Sequence, residues 1–152
     1  MARIHFGHKI QKESIIRVYR NMRLGMVISM YIIEADSVEE FELKKEGAKG
    51  VKVKYLLHAG VGAKRIQLRL FTIEVGGYTP LECHEHEHEV YILNGRAKIY
   101  GEDKVFIANP GTAIFIGSFE KHKIENAGNE PLRFLCTKET SEIPEELKGL
   151  KR

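Results

Sequence analysis

Three of the seven histidines in this 152-residue chain stand within five positions of one another, in the segment Leu81–Glu89, LECHEHEHE. Histidines occupy positions 84, 86 and 88, and acids occupy 82, 85, 87 and 89. Neutral imidazole and carboxylate are the side chains that ligate Zn, Fe, Mn and Ni. In an extended strand, residues two apart project to the same side. Glu82, His84, His86 and His88 would then share one face, and Cys83, Glu85, Glu87 and Glu89 the other. Turned into an enclosed space, the first face makes a metal site from local sequence alone. Turned to water, the same run is a solvated loop that picks up metal adventitiously. The acids of the second face would either orient imidazole N–H groups or be solvated.

The elements that must position this run are short strands. Residues 26–33 are rich in Val, Ile and Tyr, the residues that suit a strand, and Val51–Leu57 opens with strict alternation. Arg65–Glu74 alternates Ile66, Leu68 and Leu70 against Arg65, Gln67 and Arg69, the period-2 mark of a half-buried strand. On that alternation Arg69 faces solvent with Arg65 and Gln67, although from a cavity wall it could meet an anionic substrate. Gly76–Gly77 predicts a turn. Val90–Leu93 and Ala97–Tyr100 read as a hairpin across Asn94–Gly95, a dipeptide strongly favoured in two-residue hairpin loops. Lys104–Ala108, Thr112–Ile116, His122–Glu125 and Leu132–Thr137 follow, separated by Gly, Asn and Pro. Asp36–Glu40 offers capping chemistry for at most a turn of helix, Glu42–Gly50 reads as a loop, and Pro144–Leu150 reads as a closing helix. Residues 1–25 show no clear period, and Ile10–Arg20 is readable as helix or strand. Strands every 8–12 residues with turn residues at the joints indicate a sandwich or barrel.

Composition excludes other classes. Hydrophobic residues make up 43 % of the chain, enough for a core without disulfides. The net charge of +3 is small and dispersed, which argues against nucleic acid as a partner. Cys83 and Cys136 are too few for a disulfide framework. They read as free thiols of a reducing compartment. No apolar run approaches the roughly 18 residues of a membrane span. The stretch Leu24–Ile33 follows six basic residues, but Glu34, Ala35 and Asp36 come next instead of a small-residue cleavage site, so a cytoplasmic protein is expected.

Two segments carry a family resemblance. Gly77–Gly95 resembles the first motif of the cupin superfamily, G-x(5)-H-x-H-x(3,4)-E-x(6)-G. Anchored on Gly95, His88 takes the slot usually held by Glu, a replacement found in many small cupins. His84 then takes the second histidine slot and Glu82 the first. Gly76–Pro80, GGYTP, resembles the lead-in of the same group. Gly111–Asn126 resembles the second motif, G-x(5)-P-x-G-x(2)-H-x(3)-N. Gly111, His122 and Asn126 fall at the right spacings, while Gly117 stands in place of Pro and Phe119 in place of Gly. The resemblance covers about residues 30–138.

The resemblance implies an all-β chain, a cupin double-stranded β-helix or jelly-roll barrel. It divides the chain into an N-terminal extension, residues 1–29, and a cupin domain, residues 30–152, with its barrel core at about 51–138. Glu82, His84, His88 and His122 match the four ligand positions for one divalent metal ion, Fe, Mn, Zn or Ni. His86 is the alternative to Glu82 if the register slips. The implied function is metal-dependent chemistry on a small molecule, oxygenation or isomerisation/lyase chemistry, with a non-catalytic small-ligand or metal-binding module as the alternative. A homodimer paired through edge strands is expected. Outside the motifs, Cys136 reads as a buried small hydrophobe, Cys83 as pointing away from the ligands, and His58 as structural or exposed.

Overall fold

The computed structural model describes residues 17–23 and 26–149, and side chains from residue 30 onwards. The expectations for residues 1–16, including most of the helix-or-strand segment Ile10–Arg20, fall outside the described residues. Two compact units divide between Ser37 and Val38. In the first, β1 (Arg17–Arg23) pairs antiparallel with β2 (Met26–Ile32). A 3-10 turn at Ala35–Ser37 follows, one turn as expected, but it ends at Ser37, short of the end of the stretch Asp36–Glu40.

The second unit holds nine strands hydrogen-bonded in one curled sheet. They are β3 (Phe41–Glu42), β4 (Lys49–Leu57), β5 (Ile66–Tyr78), β6 (His88–Asn94), β7 (Ala97–Tyr100), β8 (Val105–Ala108), β9 (Ala113–Ile116), β10 (Lys123–Asn126) and β11 (Leu132–Glu139). The long β5 belongs to two layers. Its N-terminal part lies between β4 and β11, and its end, Tyr78, pairs with Glu125 of β10. From there the sheet runs through β10 and β7 to β8, and on the other side through β11 and β6 to β9. The inward side chains between these layers form the core. Ile73, Ile92, Leu132, Val51 and Val53 are fully buried, and Phe71 stacks on Phe134 with ring centres 5.2 Å apart. This is the jelly-roll barrel that the motifs imply.

Three local expectations are corrected. The chain does turn at Asn94–Gly95, and Gly95 takes the left-handed φ of +81°, but β6 and β7 do not pair. β6 pairs with β11 and β9, and β7 with β8 and β10. The turn carries the chain from one layer to the other. A Cβ on Gly95 would sit 2.9 Å from the Leu132 Cα and the Pro131 carbonyl, so the crossing needs glycine for space as well as for φ. Gly76–Gly77 is not a turn either. β5 continues through it as an irregularity of the β4–β5 ladder, which jumps from Ile73 opposite Val51 to Tyr78 opposite Lys49, with Gly76 at φ +74°, and Gly77 admits the Lys49 carbonyl to within 2.6 Å of where a Cβ would stand. The closing helix over Pro144–Leu150 is reduced to one 3-10 turn, Glu145–Leu147. Pro144 provides no side-chain cap, and Gly149 turns left-handed at φ +93°. So short a stretch cannot recover the cost of helix nucleation.

Asn126 ties the two layers together at the end of β10. Its amide nitrogen donates to the Ile73 and Glu130 carbonyls at 2.9 and 2.8 Å, and its oxygen accepts from the Gly128 amide at 2.9 Å. Both N–H groups and the oxygen of this buried amide are thus bonded to backbone.

Candidate metal centre

The histidine segment is not a continuous strand. Glu82 forms an isolated bridge, residues 83–87 bend, and β6 begins only at His88. The two-face division survives the bend. Cys83, Glu85, Glu87 and Glu89 are exposed, whereas Glu82, His84, His86 and His88 turn inward and line a cavity of about 540 Å³, which Cys83 also borders. The backbone brings the second segment against the first in three steps. His88 pairs with Ile116 in the β6–β9 ladder. The Phe119 amide donates to the His84 carbonyl at 2.8 Å, and Glu82 and His122 exchange both backbone hydrogen bonds at 2.9 Å. His122, just ahead of β10, is thereby set beside residues almost 40 positions earlier.

Phe119 makes this junction at φ +62°, among the described residues the non-glycine position with positive φ. It occupies the slot where the cupin motif has Gly. Its side chain is 64 % exposed, so the left-handed backbone is imposed by the hydrogen bond to His84 and by no packing of the ring. A left-handed residue with a Cβ costs about 1–2 kcal/mol. Glycine relieves that cost but adds freedom to the unfolded chain. We expect Phe119→Gly to stabilise the protein by about 1 kcal/mol, measured by urea denaturation. A loss of stability would show that the ring contributes packing this geometry does not reveal.

The three histidines that converge are His84, His88 and His122, whose ligating atoms lie within 4.8 Å of one another. His88 and His122 are each only 6 % exposed. The Nδ1 of each ring faces a backbone carbonyl: His86 for His84 at 2.9 Å, Thr137 for His88 at 2.8 Å, and Glu120 for His122 at 2.8 Å. A carbonyl only accepts, so each Nδ1 carries the proton. In its neutral form each ring then presents a bare Nε2 lone pair. Those of His84 and His88 lie 3.2 Å apart, an uncomfortable approach for two acceptors unless a cation sits beside them. Ligand bonds of about 2.1 Å at tetrahedral angles put neighbouring nitrogens about 3.4 Å apart, so this pair already has coordination spacing. The donor set fits a divalent metal.

Electrostatics keeps His84 and His88 in that state. Burial, above all, pushes His88 down to about 3, against the pull of its Thr137 hydrogen bond and with help from the nearby Arg69 charge. Burial and then His84 push His86 down to about 4. Burial and then His122 lower His84. Protons therefore compete poorly for these nitrogens near neutrality. For Glu82, burial raises the pKa, but hydrogen bonding and charge from Lys45, followed by His84 and His122, outweigh it and leave the carboxyl below its ordinary range.

Glu82 and His86 stand differently from the converging three. The Glu82 carboxylate is held by Lys45. His86 lies flat on His84, ring centres 3.6 Å apart and planes 9° off parallel, and its carbonyl fixes the His84 proton. Cys83 donates its S–H to the Phe119 carbonyl at 3.2 Å, away from the cluster. Of the two readings open for Glu85, Glu87 and Glu89, their exposure agrees with solvation, and backbone carbonyls orient the imidazoles. His58 is a buried cap, its Nδ1 accepting from the Gly60 amide at 3.1 Å.

Arg69 is the residue that strand alternation misplaces. It lines the cavity, its guanidinium 4.9 Å from the centre of the Phe71 ring. Gln67 on the same face is buried, whereas Ile66 on the other is 56 % exposed. Leu70 on that other face is buried as well, so β5 is covered on both sides there and its polar side is the one that meets the cavity. The one sequence signal for this was that β5 shares its inner face with Phe71 and Ile73 further along.

Comparison with known proteins agrees with this geometry. Residues 69–138 match the Cupin_2 family, described as a cupin domain. The oxalate-binding protein of Thermotoga maritima is 32 % identical over 117 residues, 74 % of this chain and 92 % of that protein. The 1-methylthio-D-xylulose 5-phosphate methylsulfurylase of Rhodospirillum rubrum is 31 % identical over 101 residues, 65 % of this chain and 64 % of that protein. The polyketide cyclase RemF of Streptomyces resistomycificus superposes with a TM-score of 0.70 at 30 % identity, covering 76 % of this chain and 82 % of that one. The fold and the histidine-lined barrel define a small cupin, and this chain belongs to the cupin family. No helix among the described residues is long and apolar enough to cross a membrane.

Proposed function

We propose that this chain is a metal-dependent cupin that acts on a small molecule inside its barrel. His84, His88 and His122 hold one divalent ion, and Glu82 completes the site when it leaves Lys45, with His86 as the alternative fourth ligand. The observation that carries the reading is the set of three Nε2 lone pairs, each exposed because the opposite nitrogen is committed to a carbonyl. An ion bound there supplies a Lewis acid with open coordination positions. The chain's own residues position it, exclude bulk water through Val90, Ile116, Ile124 and Phe134, and shape the entrance through Lys45 and Leu81.

The chemistry we favour is oxygenation or isomerisation/lyase chemistry. Fold alone does not choose between them, but the native metal does. Metal analysis of untagged protein, paired with oxygen uptake, tests the reading. Stoichiometric Fe or Mn with oxygen consumption supports an oxygenase. Stoichiometric Zn or Ni without it supports isomerase or lyase chemistry. Protein that takes up no divalent metal at all would refute the proposal.

A second reading has one observation in its favour: the Thermotoga maritima relative is named for binding oxalate. A module that binds a small ligand through its metal without turning it over would use the same site. Turnover assays on metal-loaded protein separate it from the enzyme. Two relatives carry names that include anionic small molecules, oxalate and a sugar phosphate, which suits a cavity with cationic walls.

A further inference from the structure

The cavity carries a feature that three histidines and a metal do not require. Its inner wall is graded along β5, β11 and β6. At the deep end Phe71 faces Phe134 and Ile92 across the ladders. One step outward Arg69 pairs with Cys136, which in turn pairs with Val90. Lys138, two residues beyond Cys136 and therefore on the same face, stands at the rim and lines the cavity with Arg69.

Arg69 lacks the partner its chemistry calls for. Its Nη2 donates to the Cys136 sulfur at 3.2 Å, a weak acceptor. The same nitrogen stands 3.4 Å from the His88 Nδ1, whose proton already goes to Thr137, so no hydrogen bond joins them. The Arg69 Nε is buried and, among the described residues, has no hydrogen-bond partner. Neither Arg69 nor Lys138 takes part in an ion pair among the described residues. Lys45, the third cation on the lining, is held by Glu82, and Glu46 on the same lining is exposed. Burial, and then the charge of Arg69, hold the Lys138 ammonium below its ordinary pKa. Two cations thus share one wall, and the acids that act on Lys138, Glu142 and Glu82, do so from beyond ion-pair distance. Burying a guanidinium without a counter-charge is unfavourable, and a planar fork of N–H donors is matched by an oxyanion.

We propose that Arg69 and Lys138 form an oxyanion subsite, which takes the carboxylate or phosphate group of a small molecule whose other end reaches the Nε2 atoms of His84, His88 and His122. The second half of that statement rests on the metal reading; the first half stands without it. Val90 and Ile116 line the same cavity, and the Arg69 guanidinium stands 3.4 Å from the His88 ring, so the molecule that spans both ends is compact. Cys136 and Phe71 hold the guanidinium on the cavity lining.

The test is calorimetric titration at low ionic strength with malonate and, separately, with inorganic phosphate. It uses metal-loaded and chelator-stripped full-length protein, as wild type, Arg69→Met and Lys138→Met. The wild type is expected to bind at least one probe saturably, one per chain. Arg69→Met is expected to weaken that binding by about 10- to 100-fold, the range for a lost charge-assisted hydrogen bond. Lys138→Met, nearer the rim, should weaken it less. Tighter binding of malonate assigns a carboxylate, and tighter binding of phosphate a phosphate. Because Arg69 has an unsatisfied buried nitrogen, Arg69→Met should not lower the melting temperature, which a purely structural arginine would. If Arg69→Met fails to fold, Lys138→Met supplies the same readout. Equal probe affinity in wild type and the folded variants, or no saturable binding of either probe, overturns the subsite. Metal content measured on the same samples keeps the two readings apart. Arg69-dependent probe binding by protein that takes up no metal would refute the metal centre and leave the subsite standing.

Discussion

His122→Ala is expected to lose stoichiometric metal while remaining folded, and His84→Ala to behave in the same way. Disturbing a residue that merely orients a ligand already costs 10- to 100-fold in metal affinity, so deleting one of three converging imidazoles should cost more than about 100-fold. The fold should tolerate the change. What joins the His122 segment to the rest is its backbone exchange with Glu82, which alanine keeps. The lost side-chain bond to the Glu120 carbonyl is worth about 1 kcal/mol, against a typical total of about 5–15 kcal/mol. The measurement is metal content after desalting, together with thermal melting with and without added metal. A ligand that binds only the native state at about 100 times its Kd adds about 2.7 kcal/mol, so metal should raise the wild-type melting temperature and leave that of the variant unmoved. A His122→Ala protein that keeps a full complement of metal would show that this imidazole is no ligand.

How far such a site is legible in sequence depends on which contacts are local. The inward set Glu82, His84, His86 and His88 follows from a period of two, and the division holds even where the chain leaves strand geometry, because near-extended residues still alternate. His122 carries no such signal. It reaches the cluster through the Glu82 bridge and the β6–β9 ladder, pairings that no local pattern encodes. Only its place in the second motif marked it. Asn94–Gly95 shows the same limit. Its turn chemistry was readable, and Gly95 does adopt a positive φ, but a turn residue says how the backbone bends and not which strand lies beside it. In β5 the alternation distinguished two faces and could not say which was inside. The usual rule puts Ile66, Leu68 and Leu70 inward. Here the face that meets the cavity carries Gln67 and Arg69 before it becomes Phe71 and Ile73, while Leu70 is buried on the opposite face, because one end of the barrel is a polar cavity and the other a core. Local rules fail most readily where a protein spends stability on a site.

Phe134→Ala should do the reverse of His122→Ala, sparing the donors while taking away much of the stability. Phe134 is 2 % exposed and lies on β11 between Phe71 of β5 and Ile92 of β6, stacked on Phe71 with planes 13° apart. Truncating a fully buried phenylalanine costs about 3–5 kcal/mol, the transfer of the ring plus the void it leaves. That is a large part of the about 5–15 kcal/mol available to a typical domain. With a urea m-value of about 2 kcal/mol/M, the denaturation midpoint should fall by roughly 2 M with the slope unchanged. The void has a particular consequence here, because Phe134 also lines the histidine cavity. Collapse into it would draw Phe71 downward and remove the ring beneath the Arg69 guanidinium. The histidines are anchored by carbonyls of Thr137, His86 and Glu120, none of which depends on Phe134. Metal stoichiometry of the folded variant should therefore match wild type at a temperature well below its melting point. A midpoint within about 0.5 M of wild type would mean that the barrel core is not organised around this ring.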